Sequence, residues 1–208
     1  MKKLAILLAL VMVLSLAAGN RTPAPDDNAT TTTTIAPHVG QNDGVTYKND
    51  YFGLAFAPAD GWNLYDADEI ADRNLPILPM GEGESYAEAI TRAQEFYDMY
   101  AEHGNSGNII SVRVENMSTL YETLPSDAEY RDIQASTLEG IPMLTTELIT
   151  VTVDGKDLLG MKVLWGEGDD VQTDVSLYFA KENYMVTLNF SSLDGDHTAE
   201  WAAWFDFL

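Results

Sequence analysis

"ITVTVDGKDLLGMKVLW", Ile149 to Trp165, decides the fold. Ile149, Val151 and Val153 alternate with threonines, the period of a half-buried strand. Asp154-Gly155 follows, a pair that tolerates the positive φ of a two-residue hairpin turn. Leu159, Met161, Val163 and Trp165 then return with the same period. Polar Gly166 to Asp170 turns the chain again, and Val171, Val175, Leu177 and Phe179 predict a third strand. Lys181-Glu182-Asn183 turns once more before Tyr184, Val186, Leu188 and Phe190. Four strands with short connections predict an antiparallel meander.

Such a sheet needs a cover on its apolar face. Trp201, Trp204, Phe205 and Leu208 fall on one face of a predicted closing helix. Upstream, Phe52, Leu54 and Phe56 alternate as a strand, Pro58-Ala59-Asp60-Gly61 turns, and Trp62 opens a short second strand. Asp66 with Glu69, Ser85 with Glu88, and Ser126 with Glu129 are capping boxes, each opening a helix. The second helix is expected to carry Ile90, Ala93, Tyr97 and Tyr100 on one face and to stop at Gly104. The third points Ile133 inward and stops at Gly140. Between them Ile110, Val112 and Val114 predict a further strand. The expected class is α+β, an antiparallel, meander-rich sheet with helices packed on it.

The order of these pieces resembles the PsbP-like α/β/α sandwich. The residues that carry the likeness are Tyr51-Phe52-Gly53-Leu54, Asp60-Gly61-Trp62, and the late meander ending in Tyr184 to Phe190 with its terminal helix. The resemblance implies a binding or assembly protein, mostly without a reaction of its own. A cystatin-like or NTF2-like sheet-and-helix fold accommodates the same order.

The N-terminus has a different character. Met1-Lys2-Lys3 is positive, Leu4 to Leu16 is apolar but for Ser15, and Ala17, Ala18 and Gly19 are small. That order predicts a secretory signal peptide over 1–19, and the apolar run is shorter than a bilayer span. "MKKLAILLALVMVLSLAAGN" also resembles the signal of Gram-positive lipoproteins, whose lipobox reads Leu-Ala-Ala-Cys. Here Gly19 stands where that family has its cysteine, or a cysteine has been lost between Ala18 and Gly19; as the sequence reads, lipidation has no thiol to use. Residues 20–44, rich in Thr, Asp, Asn and Pro with an unbroken Thr30 to Thr34, are expected to form a disordered tether. Residues 45–208 then make a single α+β domain, long enough to bury a real core.

Composition narrows the chemistry. The chain has no cysteine, which excludes disulfides, thiolate metal ligands and a cysteine nucleophile. It carries 11 basic and 33 acidic residues, a net charge of −22. Loss of Lys2 and Lys3 with the signal leaves 9 − 33 = −24. That surface repels nucleic acid and anionic lipid, and keeps the domain soluble. Contact with a membrane is expected only through the signal or a lost lipid anchor.

No residue is nominated as catalytic, cofactor-binding or metal-ligating, and no cofactor is expected. His38, His103 and His197 lack the i, i+4 spacing of a helical metal site. Gly104-Asn105-Ser106-Gly107 departs from Gly-x-Ser-x-Gly and reads as a turn. Glu167, Asp169 and Asp170, and Asp194 with Asp196, read as solvated turns and do not follow EF-hand spacing. Tyr86, Tyr97, Tyr100, Trp62 and Trp165 read as core before they read as a ligand pocket. The expectation is an exported, extracytoplasmic binding or interaction module, secreted or held at the cell envelope, with an unknown protein or small-molecule partner. The alternative is an extracellular hydrolase whose acidic residues meet only in the fold.

Overall fold

The computed structural model describes residues 37–104, 106–166 and 171–208, which form a single unit. The signal peptide with Gly19, the Thr30 to Thr34 run, and Glu167, Asp169 and Asp170 lie outside the described residues. In chain order come strands β1 (Gln41–Asn42), β2 (Tyr47–Asn49), β3 (Leu54–Phe56) and β4 (Trp62–Leu64). Helices α1 (Ala67–Asn74) and α2 (Tyr86–Arg92) follow, then β5 (Glu95–His103) and β6 (Asn108–Asn116). After α3 (Asp127–Thr137) runs the meander β7 (Leu144–Val153), β8 (Lys156–Trp165), β9 (Gln172–Lys181) and β10 (Tyr184–Ser192). Helix α4 (Thr198–Ala202) and β11 (Phe205–Phe207) close the chain.

Two antiparallel sheets result. The larger has the order β4-β5-β6-β10-β9-β8-β7 and the smaller β1-β2-β3-β11. Period-two alternation gives the large sheet one apolar face, where Val112, Val114, Val186, Leu188 and Phe190 are buried. This face packs on Leu54 and Phe56 of the small sheet, on Phe52 in the turn before β3, where the sequence predicted strand, and on Trp201 of α4, all buried too. The other face carries a second cluster under α3, formed by Met117, Tyr130, Met161, Val163, Tyr178 and Met185. The α+β class and the meander agree with the sequence. All three capping boxes form, each with its reciprocal pair of hydrogen bonds.

Four expectations are corrected. The helix predicted to run from Ser85 to Gly104 ends at Arg92, and Glu95–His103 is strand. The cause is a β-bulge: Tyr97 pairs Arg113 and Met99 pairs Val112, so Asp98 is an extra residue. The inserted residue puts Tyr97 and Tyr100 on one sheet face although they are three apart, which imitates a helical spacing. The closing helix is only five residues long, and Phe205–Phe207 pairs with β3, Phe205 opposite Phe56. Phe205-Asp206-Phe207 has a strand's alternation, and Leu208 is 60% exposed. Ile133 is exposed, and Tyr130 is the residue that α3 buries. Finally, β1 lies within the stretch expected to be tether. Val39 packs on the core, and the Gly40 amide donates to Asp98 at 2.6 Å.

Candidate functional site

The rims of the two sheets differ in length. β4, at one rim of the large sheet, has three residues, and the small sheet ends in β1 with two and β11 with three. β7, at the other rim of the large sheet, has ten. Short edge strands are one way proteins blunt the urge of an open strand to pair with another chain. β7 has no such protection: no proline, a single charged residue, and no bulge in its ten-residue register with β8.

The hairpin geometry fixes which of its backbone groups are open. Asp154 and Gly155 hold φ of +45° and +73°, as a two-residue turn with the strands' own twist requires. Such a turn closes on a hydrogen-bonded pair, here Val153 opposite Lys156, and pairs then alternate along the ladder. At the far end the Gly166 amide donates to the Met143 carbonyl at 3.1 Å, which is the same phase. The odd-numbered residues of β7 therefore bond to β8. Leu144, Thr146, Leu148, Thr150 and Thr152 turn their N–H and C=O groups to the open rim. Leu148 is 50% exposed. Glu147, the one charge, lies 3.3 Å from Lys162 Nζ, which also sits 3.4 Å from Asp196.

The buried ionisable groups are bound into the frame. Asp98, on the bulge, accepts from the Gly40 amide, from Asn49 Nδ2 at 2.8 Å and from the Tyr47 hydroxyl. Burial pushes its carboxyl up to about 6, against the pull of those donors. Asn49 in turn donates to the His38 carbonyl at 2.8 Å and accepts from the Tyr51 and Phe52 amides. This network joins the N-terminal strands to the large sheet. On the opposite face Tyr130 donates to Glu115 at 2.6 Å, and Arg113 pairs with the same carboxylate. Burial raises the Tyr130 hydroxyl far above its ordinary range. Thr187 Oγ1 and Arg113 Nε, on residues that face each other in the register, are buried without a hydrogen-bond partner.

The residues singled out in the sequence separate. Tyr97 and Tyr100 come together under Arg73, whose guanidinium lies 5.1 and 3.4 Å from their ring centres. Tyr86 joins them through Asn74, which donates to its hydroxyl at 2.6 Å and to the Tyr97 carbonyl at 2.8 Å. Trp62 packs elsewhere, against Trp201 and Trp204, and Trp165 borders the α3 cluster. His103 ends a strand, not a helix, with its ring against Trp62. His197 stacks on Trp201 and reaches Asp194 at 3.1 Å. The Ser192 hydroxyl, the Asn108 amide and His197 hold Asp194 below its usual range. Among the described residues no three His, Asp or Glu side chains are grouped to hold a metal.

Ser106 Oγ lies 3.2 Å from His103 Nδ1, but it also donates to the His103 carbonyl at 2.9 Å and receives the Asn108 amide. The pair belongs to the β5–β6 turn. A shallow depression bordered by Gly81, Glu84, Glu88 and Arg92 has its only cation held by Glu84 through both nitrogens Nε and Nη2. No helix among the described residues is long and apolar enough to cross a membrane.

No family model matches the chain, and no curated protein matches it. Among solved structures it is similar to LpqN, described as involved in cell envelope biogenesis of Mycobacterium tuberculosis. The two share 12% identity over 77% of this chain and 78% of that one, with a TM-score of 0.37. At that distance the likeness carries no argument about fold or function.

Proposed function

We propose that this chain is an exported, non-catalytic interaction module of the cell envelope that engages its partner by strand addition on the open rim of β7. The observation that carries the reading is the ten-residue edge itself, paired with β8 on one side and with no strand on the other among the described residues. Main-chain groups in an open rim supply affinity, and alternate side chains supply selectivity. The signal-like order of residues 1–19 supports export. Asp98 and Glu115 support a frame function for the buried carboxylates, since each is occupied by donors from neighbouring elements.

Backbone hydrogen exchange over residues 144–153 tests the reading, with the full chain alone and with an envelope fraction of its host. The expected result is slower exchange at the even-numbered amides than an open rim allows, either in the chain alone or once the fraction is present. Thr150→Pro removes one rim donor, spares the bonds to β8, and is expected to abolish that protection. Even-numbered amides that stay unprotected both in the chain alone and with the fraction present would refute strand addition.

The hydrolase reading has one observation in its favour, the Ser106–His103 approach. An active-site fluorophosphonate that labels Ser106 in the native protein, and not after unfolding in urea, would favour it. No labelling is expected, because the hydroxyl proton is already committed to a backbone carbonyl.

A further inference from the structure

Resting on that reading of the rim, we infer that the strand added to β7 is β7 of a second copy, antiparallel, about a two-fold axis through Leu148. The first support is self-complementarity. A strand that meets its own copy about an axis normal to the sheet faces residues whose numbers have a constant sum. With the axis on Leu148, Leu148 meets itself, Thr146 meets Thr150, and Leu144 meets Thr152. These five are the residues whose backbone groups point outward, so each open donor meets an open acceptor, giving about ten new hydrogen bonds. Moving the axis to Ile149 would set Leu144 against Asp154 in the turn and leave part of the rim open.

Charge is the second support. Most of the surface of a chain with 33 acidic and 11 basic residues repels a second copy. β7 is the exception: it carries one carboxylate, Glu147, which lies against Lys162 of the neighbouring strand, an ammonium it shares with Asp196. In the paired arrangement Glu147 faces Ile149 of the second copy and not its own copy, and the two Glu147 side chains, diagonal neighbours, each keep their own Lys162 beside them. A basic extended peptide would need several carboxylates along the rim, and β7 carries a single one, with Lys162 already beside it. The third support is Leu148, a large apolar side chain half in water on an otherwise threonine-rich rim. Opposite its own copy it is covered by an identical leucine. The isologous geometry is that of a closed two-fold dimer.

The absence of cysteine makes the test direct. In a hydrogen-bonded antiparallel pair the facing Cα atoms are about 5.5 Å apart, within disulfide range. Full-chain Leu148→Cys is therefore expected to form a covalent dimer under mild oxidant. Thr152→Cys is the control, because its copy lies eight residues along the strand, about 27 Å away. Sedimentation of the wild-type chain should show a dimer, and Leu148→Lys, which sets two ammonium groups face to face, should weaken it about tenfold or more. Leu148 is exposed, so circular dichroism of both variants should match wild type.

A wild-type chain that stays monomeric, with Leu148→Cys unlinked, overturns the inference. Equal linking of Thr152→Cys also overturns it, since the contact would then not be centred on Leu148. If the chain is monomeric but its even-numbered β7 amides are protected by the envelope fraction, the second copy falls and the rim reading stands. If neither occurs, both fall.

Discussion

Asp98→Asn isolates the cost of holding a carboxylate inside the fold. The side chain is 1% exposed and titrates near 6 in place of the ordinary 3.8. Burial is the cause, and it outweighs the donors from Tyr47, Gly40 and Asn49. A folded pKa above the unfolded one means stability that is fully present below about 3.8 and is lost as pH rises through about 6. The loss on ionisation is about 3 kcal/mol. The amide of the variant cannot ionise, so it escapes that loss. It also cannot accept at both positions, and its NH₂ group confronts one fixed donor at a cost of about 1–3 kcal/mol. The two effects nearly cancel at neutral pH, where the variant should match wild type. Near pH 4 the variant should be the less stable protein. Urea unfolding of both chains from pH 4 to 7.5 measures the difference, and the repulsion common to both acidic chains drops out of it. A difference that stays constant across that range would refute the argument.

Three further outcomes follow from particular contacts. Tyr130→Phe leaves the buried Glu115 short of one donor and should cost about 1–3 kcal/mol in urea unfolding. Gly160→Ala presses a methyl group against the Ser176 carbonyl and the Leu177 side chain in the adjoining strand. It should destabilise by about 1–3 kcal/mol, read as a fall in Tm. Ser126→Ala removes the cap of α3, and thermal unfolding should show a loss of about 1 kcal/mol, with the β-sheet circular dichroism kept.

The parts legible in the sequence are those fixed by neighbours in the chain. Asp154-Gly155 announces its hairpin because only the two turn residues decide the turn. The three capping boxes are equally local, and all three form. Val112, Val186, Leu188 and Phe190 are buried as their alternation requires. β5 was not legible, because the bulge at Asp98 gives Tyr97 and Tyr100 a helical spacing on a strand. The "Phe96-Tyr97-Asp98-Met99-Tyr100" context, one carboxylate among large apolar residues, was the available sign of a buried acid. The rim was illegible for a different reason. The sequence shows four consecutive strands but not which outer one joins the rest of the sheet. That is settled by β10 pairing with β6, a contact between residues about seventy positions apart.

That single long-range pairing makes β7 the most weakly held long strand of the sheet. Among the described residues β6, β8, β9 and β10 each have a ladder on both sides, and β7 has one. Of its side chains only Val153 is buried, with Ile149 and Val151 half-buried against the core. Of the even-numbered positions only Leu144 reaches a core cluster, the one under α3, and four of the ten residues are threonines. Local opening is easiest where apolar contacts and protected hydrogen bonds are fewest, so β7 should be the first long strand to exchange. A strand added at its rim supplies what is missing there, a second ladder and a cover for Leu148. Anything that binds the folded chain and not the unfolded one stabilises it by mass action. Association at β7 and the stability of the meander are therefore one equilibrium, and the even-numbered amides of β7 report on both.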